Sequence, residues 1–264
     1  MATILIHPDT QSAIRATAER LLQAVQGDHD AVLGLATGGT MEPVYHQLVR
    51  RADEARLSFA GVTTFNLDEY VGLAADHPQS YRSTMNRLLF DHVDIPRNQT
   101  YLPRGDAQDP SAEAIAYEAA IEAAGGIDLQ LLGIGRNGHL GFNEPSSSLA
   151  SRTRIKKLAR STLEANARFF GAGERMPTHA ITMGIGTIMK ARKLLMLAMG
   201  ASKADAVAAA LEGPVTAACP ASILQFHPDV TVVLDQEAAS CLKLRDFYED
   251  IHPGGQEVYF AGNS

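Results

Sequence analysis

The chain has 264 residues, 45% of them hydrophobic and 20% charged, a globular composition with enough apolar material for a sizeable core. Its formal net charge of −7 disfavours nucleic acid and acidic membranes as partners, while leaving room for a local basic pocket that takes a small anion. Two distant cysteines, Cys219 and Cys241, offer neither a disulfide framework nor a zinc site. With no signal-like lead and no run of 18 apolar residues, the expectation is a cytoplasmic protein in a reducing compartment.

A helical pattern over residues 11–26 is followed by an apolar strand over 32–36, a helix over 43–51, a strand over 62–67, helices over 80–89 and 111–124, and a strand over 129–134. Beyond a glycine-rich loop come a helix over 161–170, strands over 180–183 and 194–199, a helix over 202–211, a strand over 231–234 and a helix over 236–250. Hydroxyl residues or a first-turn proline open the helices at Pro43, Ser80, Ser111, Ser161 and Ser202. Short apolar runs alternating with amphipathic helices predict one α/β domain over residues 1–264, built on an open, mostly parallel, Rossmann-like sheet with helices on both faces. Residues 171–177 read as a surface loop, with the hinge of a small lid around 155–180 as the alternative.

Four polar clusters follow predicted strands or open the helix after one: Thr37-Gly38-Gly39-Thr40, Asp68-Glu69-Tyr70, Asn137-Gly138-His139 and Ser202-Lys203. The strand C-termini of a parallel sheet share one edge, so these segments should converge on one crevice. Paired glycines between hydroxyls let backbone N–H groups approach an anion at a helix start, the geometry of a phosphate cradle. A tight βα turn without a ligand would need the same residues. Lys203 and Arg168 are candidates for the fixed positive charge a phosphate requires, and each taken singly also reads as a solvated surface charge. Asp68 beside Glu69 places two carboxylates at a strand end. There, burial or the neighbouring charge would move one of them toward neutral pKa for acid–base work, and a helix cap or salt bridge is the alternative.

Residues 133–145, GIGRNGHLGFNEP, contain a formal Gly133-x-Gly135-x-x-Gly138 fingerprint. A dinucleotide fingerprint opens a helix, whereas a polar loop follows here. The loop instead sets His139 near Asn137 and Glu144, a titratable imidazole with two groups able to fix its tautomer. The chain lacks His-Glu-x-x-His, the zinc-deaminase Pro-Cys-x-x-Cys and a Gly-x-Ser-x-Gly elbow, so neither a metal nor a serine nucleophile is expected.

The segments FNLDEYVGL (65–73), HPQSY (77–81), GIGRNGHLGFNEP (133–145) and SSLASRTRIK (147–156), with Ala36-Thr37-Gly38-Gly39-Thr40, resemble the glucosamine-6-phosphate deaminase family, from about residue 30 to 245. The resemblance implies conversion of glucosamine 6-phosphate and water to fructose 6-phosphate and ammonium, in amino-sugar catabolism and without metal or organic cofactor. By similarity, His139 moves the ring-opening proton with Asn137 and Glu144 in support. Asp68 then carries a proton between C2 and C1. Thr37, Gly38, Gly39, Thr40, Arg168 and Lys203 match the family's phosphate-site region.

The best-studied regulated relatives have aspartate where Asn137 stands, and asparagine cannot offer the imidazolium a full charge. Those hexameric relatives bind N-acetylglucosamine 6-phosphate at an allosteric site to which Ser147, Ser148, Arg154 and Lys156 correspond. Its C-terminal tyrosine has no secure counterpart here, since Glu249 aligns there with Tyr248 adjacent. The allosteric reading, and with it a homo-oligomer, therefore stands against a subunit interface or simple solvation. Two other functions compete: a 6-phosphogluconolactonase-like hydrolase, which needs no C2 proton carrier, and a non-catalytic sugar-phosphate sensor. No DNA-binding helix-turn-helix accompanies the latter.

Overall fold

The computed structural model describes residues 2–159, 163, 170 and 176–257. Seven strands form one parallel sheet: β1 (Thr3–His7), β2 (Val32–Leu35), β3 (Thr63–Asn66), β5 (Thr100–Tyr101), β6 (Leu129–Gly133), β9 (Lys193–Ala198) and β10 (Val230–Asp235), in the order β1-β10-β9-β6-β2-β3-β5. Runs such as VLGL in β2 and KLLMLA in β9 are buried along almost their whole length, as strands covered on both faces must be. Three short strands, β4 (Asp68–Tyr70), β8 (His179–Thr182) and β7 (Arg154–Lys157), form a separate antiparallel sheet with β8 in the middle. The expected α/β architecture is therefore present, with an added small sheet.

Helix α1 (Thr10–Gly27) begins where the Asp9 carboxylate accepts the Ser12 N–H at 2.6 Å, an N-cap that satisfies an otherwise orphaned donor. Ala13, Ile14, Ala18, Leu21, Leu22 and Val25 make its buried stripe, which packs against β10 and against α2 (Glu42–Ala55). Leu21 is fully buried, so Leu21→Ala should cost roughly 2–5 kcal/mol, the range for a core cavity. Across the sheet, Phe65 stacks on Tyr101 at 4.7 Å between centroids and meets Tyr117 edge-on at 5.8 Å. The Tyr117 hydroxyl donates to the Asn66 carbonyl at 2.6 Å, tying the end of β3 in place.

Strand order reverses between β2 and β6. From β2 the chain runs outward through β3 to β5, and from β6 it runs the other way through β9 to β10. Such a switch point opens a crevice beyond the strand C-termini, because the two connections leave on opposite faces. At its rim, Leu67 is a corner between sheets. Its N–H donates to the Leu35 carbonyl of the large sheet at 3.0 Å, while its own carbonyl accepts the Met183 N–H beside the small sheet at 2.6 Å. Asp68 is the next residue.

Several expectations need correction. The strand expected over 180–183 is β8, which belongs to the antiparallel sheet: its residues are apolar, and nothing in them encodes direction. Strands β1, β4, β5 and β7 were not anticipated. The expected helix over 236–250 is confined to Arg245–Ile251. Before it, the Glu212 carboxylate takes the N–H groups of Lys243 and Leu244 at 2.7 and 2.9 Å, and Asp235 takes that of Ala238 at 2.8 Å. With those donors used by side chains, the backbone turns instead of continuing a helix. The helix over 161–170, the 171–177 loop and Arg168 lie largely or wholly outside the described residues. No helix among the described residues is long and apolar enough to cross a membrane.

Candidate active site

A cavity of about 660 Å³ occupies the crevice, lined by members of all four polar clusters: Thr37, Thr40, Asp68, Asn137, His139 and Lys203. The Thr37–Thr40 segment is a turn, and α2 starts only at Glu42, with Met41 in the cap position and no side-chain cap. Gly38 adopts φ +106° and a Cβ on either glycine would meet open space. The turn thus exposes its backbone beside an uncapped helix start, the arrangement in which N–H groups hold an anion.

Asp68 and Glu69 are adjacent in β4 but face different surroundings. Asp68 is 5% exposed. Burial first, and then the charge of Glu69, push its carboxyl up to about 8. Glu69 is turned away from the crevice, where its oxygens accept the N–H groups of Tyr70, Tyr81 and Arg82 at 2.8, 3.0 and 2.9 Å. Burial raises its pKa as well, and those N–H groups together with the Arg82 charge oppose the rise. Glu69 is therefore a cap for the Tyr81–Met85 helix, and Asp68 alone lines the cavity.

In the glycine-rich loop, His139 Nδ1 lies 2.7 Å from Asn137 Oδ1. An amide oxygen only accepts, so Nδ1 carries the hydrogen of the neutral ring and Nε2 keeps the lone pair. Asn137 Nδ2 in turn donates to Glu144 Oε2 at 2.8 Å, and that oxygen sits 3.4 Å from His139 Nδ1. The glycines here serve close approach. A Cβ on Gly135 would fall 2.2 Å from the His139 ring, and one on Gly141, at φ +55°, would fall 3.0 Å from Asp68 Oδ2. The loop's fingerprint-like spacing thus packs an imidazole and a carboxylate against backbone.

Lys203 is half-buried and donates Nζ to the Ile134 carbonyl at 2.7 Å; burial and then the charge of Arg136 lower its pKa. Arg136 and Tyr81 also line the cavity. The sequence reading passed over both, although they stand inside its quoted motifs GIGRNGHLGFNEP and HPQSY.

The residues corresponding to an allosteric site lie apart from the cavity. The Ser147 hydroxyl is buried without a hydrogen-bond partner, and Ser148 Oγ accepts the Ala150 N–H at 3.3 Å. Arg154 and Lys156 are on β7, and Arg154 Nη1 donates to Asn143 Oδ1 at 2.8 Å. Glu249 and Tyr248 sit in the Arg245–Ile251 helix, which packs against β1 at the far edge of the large sheet. Among the described residues no group of three His, Cys, Asp or Glu is placed to hold a metal ion.

Residues 9–233 match the family of glucosamine-6-phosphate isomerases and 6-phosphogluconolactonases. The chain is 52% identical over 255 residues to the glucosamine-6-phosphate deaminase of Shewanella halifaxensis, covering 97% of each. It is 54% identical over 245 residues to that of Hahella chejuensis, covering 93% of this chain and 94% of the relative. A solved monomeric glucosamine-6-phosphate deaminase superposes with a TM-score of 0.88 at 45% identity, over 90% of this chain and 99% of that one. The 6-phosphogluconolactonase of Trypanosoma brucei, at 22% identity and a TM-score of 0.71 over 91% and 98% of the two chains, shares the fold.

Proposed function

The chain belongs to the glucosamine-6-phosphate isomerase/6-phosphogluconolactonase family, and we propose that it is a glucosamine-6-phosphate deaminase, releasing ammonium from glucosamine 6-phosphate and leaving fructose 6-phosphate. The observation that carries the residue roles is Asp68, a buried carboxylate with its pKa raised to about 8, in one cavity with His139. A lactonase has no use for such a proton carrier, whereas an aldose–ketose shift depends on one.

In this reading the phosphate is held by the Thr37-Gly38-Gly39-Thr40 turn and Lys203, with Arg168 as a further ligand. His139 Nε2 takes the proton of the C1 hydroxyl and returns it to the ring oxygen, which opens the pyranose. The Glu144 charge, 3.4 Å from Nδ1, stabilises the imidazolium that forms in between. The Asp68 carboxylate then removes the C2 proton while O1 takes a proton given up by the substrate's ammonium group, leaving a neutral enolamine, and delivers the C2 proton to C1, giving the protonated imine of fructose 6-phosphate. Water adds at C2 and the nitrogen leaves as ammonium, so Asp68 ends as the carboxylate it began as. A base whose pKa lies near the working pH both takes and returns a proton readily, and burial is what brings a carboxylate to that value.

The experiment is formation of ammonium and fructose 6-phosphate from glucosamine 6-phosphate in chelator-treated buffer, with 6-phosphogluconolactone hydrolysis run beside it. The two products in equal amounts are expected. Lactone cleavage without either product would overturn the deaminase.

An effector site for N-acetylglucosamine 6-phosphate at Ser147, Ser148, Arg154 and Lys156 is a finer part of the proposal. One row of contacts supports it: Arg154 and Asp68 are both paired with Thr182, from opposite sides, across the small sheet. An effector at Arg154 would thus act two strands from the proton carrier. Activation at subsaturating substrate is the expected result, and hyperbolic kinetics indifferent to the effector would remove the site. A hexamer is not carried over, since the solved relative at 45% identity is monomeric.

A further inference from the structure

Among the described residues, two cations line the cavity without a carboxylate partner. Lys203 spends one donor on the Ile134 carbonyl. Arg136, two residues beyond Ile134, is exposed at the cavity wall and, among the described residues, makes no ion pair or hydrogen bond. Arg51, Arg104, Arg152 and Arg192 each reach a carboxylate, whereas Arg136 keeps its charge uncompensated at the wall of a cavity. The two charges are close enough that Arg136 helps to depress the pKa of Lys203. Like charges held together in a cavity raise its free energy, and an anion arriving between them turns the repulsion into attraction.

We propose that Arg136 is a ligand of the substrate phosphate and a determinant of KM, working with Lys203 and the Thr37–Thr40 turn. The inference rests on the deaminase reading. A sugar phosphate brings a charge of about −1.5 to −2 with three acceptor oxygens at neutral pH, and a guanidinium offers a planar fork of donors that fits two of them at once. Arg136 also sits in the loop that carries His139. A contact to the phosphate, which does not react, is made equally in the ground and transition states, so it lowers KM without raising kcat.

The test uses the full chain with Arg136→Ala and Arg136→Lys. Steady-state kinetics with glucosamine 6-phosphate are expected to show KM raised about tenfold in Arg136→Ala, the effect of about one lost charge-assisted contact, with kcat within about twofold. Calorimetric titration with inorganic phosphate should show affinity falling by a similar factor. Arg136→Lys should recover part of both, because it restores the charge without the fork, and added salt should narrow the gap between the variants. Unchanged KM and unchanged phosphate affinity in a normally melting Arg136→Ala would overturn the proposal. Phosphate titration needs no turnover, so a protein that loses phosphate affinity on Arg136→Ala yet never forms ammonium would uphold the anion ligand while removing the deaminase.

Discussion

The large and small sheets meet at Leu67, and they supply different halves of the site. The parallel sheet ends in glycine turns and brings backbone donors and Lys203 to the crevice, while the antiparallel sheet brings one carboxylate, Asp68, with Thr182 beside it. The first is held by rows of buried valine and leucine, each contributing about 1.5–3 kcal/mol. The second is three short strands reading DEY, HAIT and RIKK, the last only partly buried, fixed by pairing across β8 and by side-chain bonds such as those of Glu69. An anion cradle can thus stand on the stable part of the fold, whereas a carboxylate held out of water requires local scaffolding and costs stability. Perturbing each side separately tests that division.

Asp68→Asn should have the largest effect. Activity should fall by about 10²–10⁴, the usual contribution of a positioned acid–base group, and kcat/KM of the unmodified enzyme should climb as pH rises through about 8. Stability moves the other way. The folded pKa of Asp68 lies above the ~3.9 of an unfolded aspartate, so between those values the folded state holds a proton that the unfolded state has released, and stability falls as pH rises. Asp68→Asn should therefore melt higher than wild type at pH 8 and close to it at pH 4. Retained turnover, or a variant less stable at pH 8, would break the contrast between the sheets.

Next in size is a pair of glycine substitutions. In Gly135→Ala the new Cβ would lie 2.2 Å from the His139 ring, so the imidazole must move, and kcat should fall about 10²-fold, as for an ångström-scale misplacement. Gly39→Ala meets nothing within 4 Å. Its fold and kcat should survive while KM rises, because the methyl would stand where a phosphate approaches the backbone. Equal effects of the two on kcat, read from full saturation curves, would refute the separation of anion and proton chemistry.

Glu69→Gln probes the scaffold of the small sheet. A single amide oxygen replaces two carboxylate oxygens that serve three N–H groups, and an orphaned buried donor costs about 1–3 kcal/mol. Denaturant unfolding should show a loss of that order. Removing the charge that helps raise Asp68 should also move the rise of kcat/KM to lower pH. A pH profile that stays in place would mean burial alone sets the Asp68 value.

How much of this was legible in the sequence divides along the same line. The buried runs at β2, β3, β6, β9 and β10 announce a parallel sheet, and glycine or polar residues placed soon after them mark the crevice, so Thr37, Asp68, His139 and Lys203 were accessible without coordinates. The small sheet was not. DEY and RIKK carry no apolar period, and β8 looks like one more buried strand until its partners are known. The division of labour between Asp68 and Glu69 was also hidden, because it depends on three N–H groups of which two, on Tyr81 and Arg82, lie far along the chain. Arg136 was overlooked because its significance is a missing partner, which spacing does not express.

The smallest expected change comes from Asn137→Asp, and it tests how the glycine loop is wired. Asn137 accepts from His139 and donates to Glu144, so it joins an imidazole to a carboxylate by using both ends of its amide. An aspartate keeps the first bond, now charge-assisted, and loses the second, setting two carboxylates about a hydrogen bond apart. The added charge favours the imidazolium, so the neutral ring that ring opening needs would appear only at higher pH. The acidic limb of kcat/KM, set by Asp68 in the unmodified enzyme, should steepen as a second group joins it, with the plateau changed by less than about tenfold. The strain with Glu144 has its own remedy: in the double variant Asn137→Asp with Glu144→Gln, the amide at 144 can donate to the carboxylate at 137. If the amide link orients His139, the double variant should recover part of the plateau lost in Asn137→Asp. If the two substitutions merely add, the Asn137–Glu144 bond has no bearing on the imidazole, and the loop's geometry must come from its glycines alone.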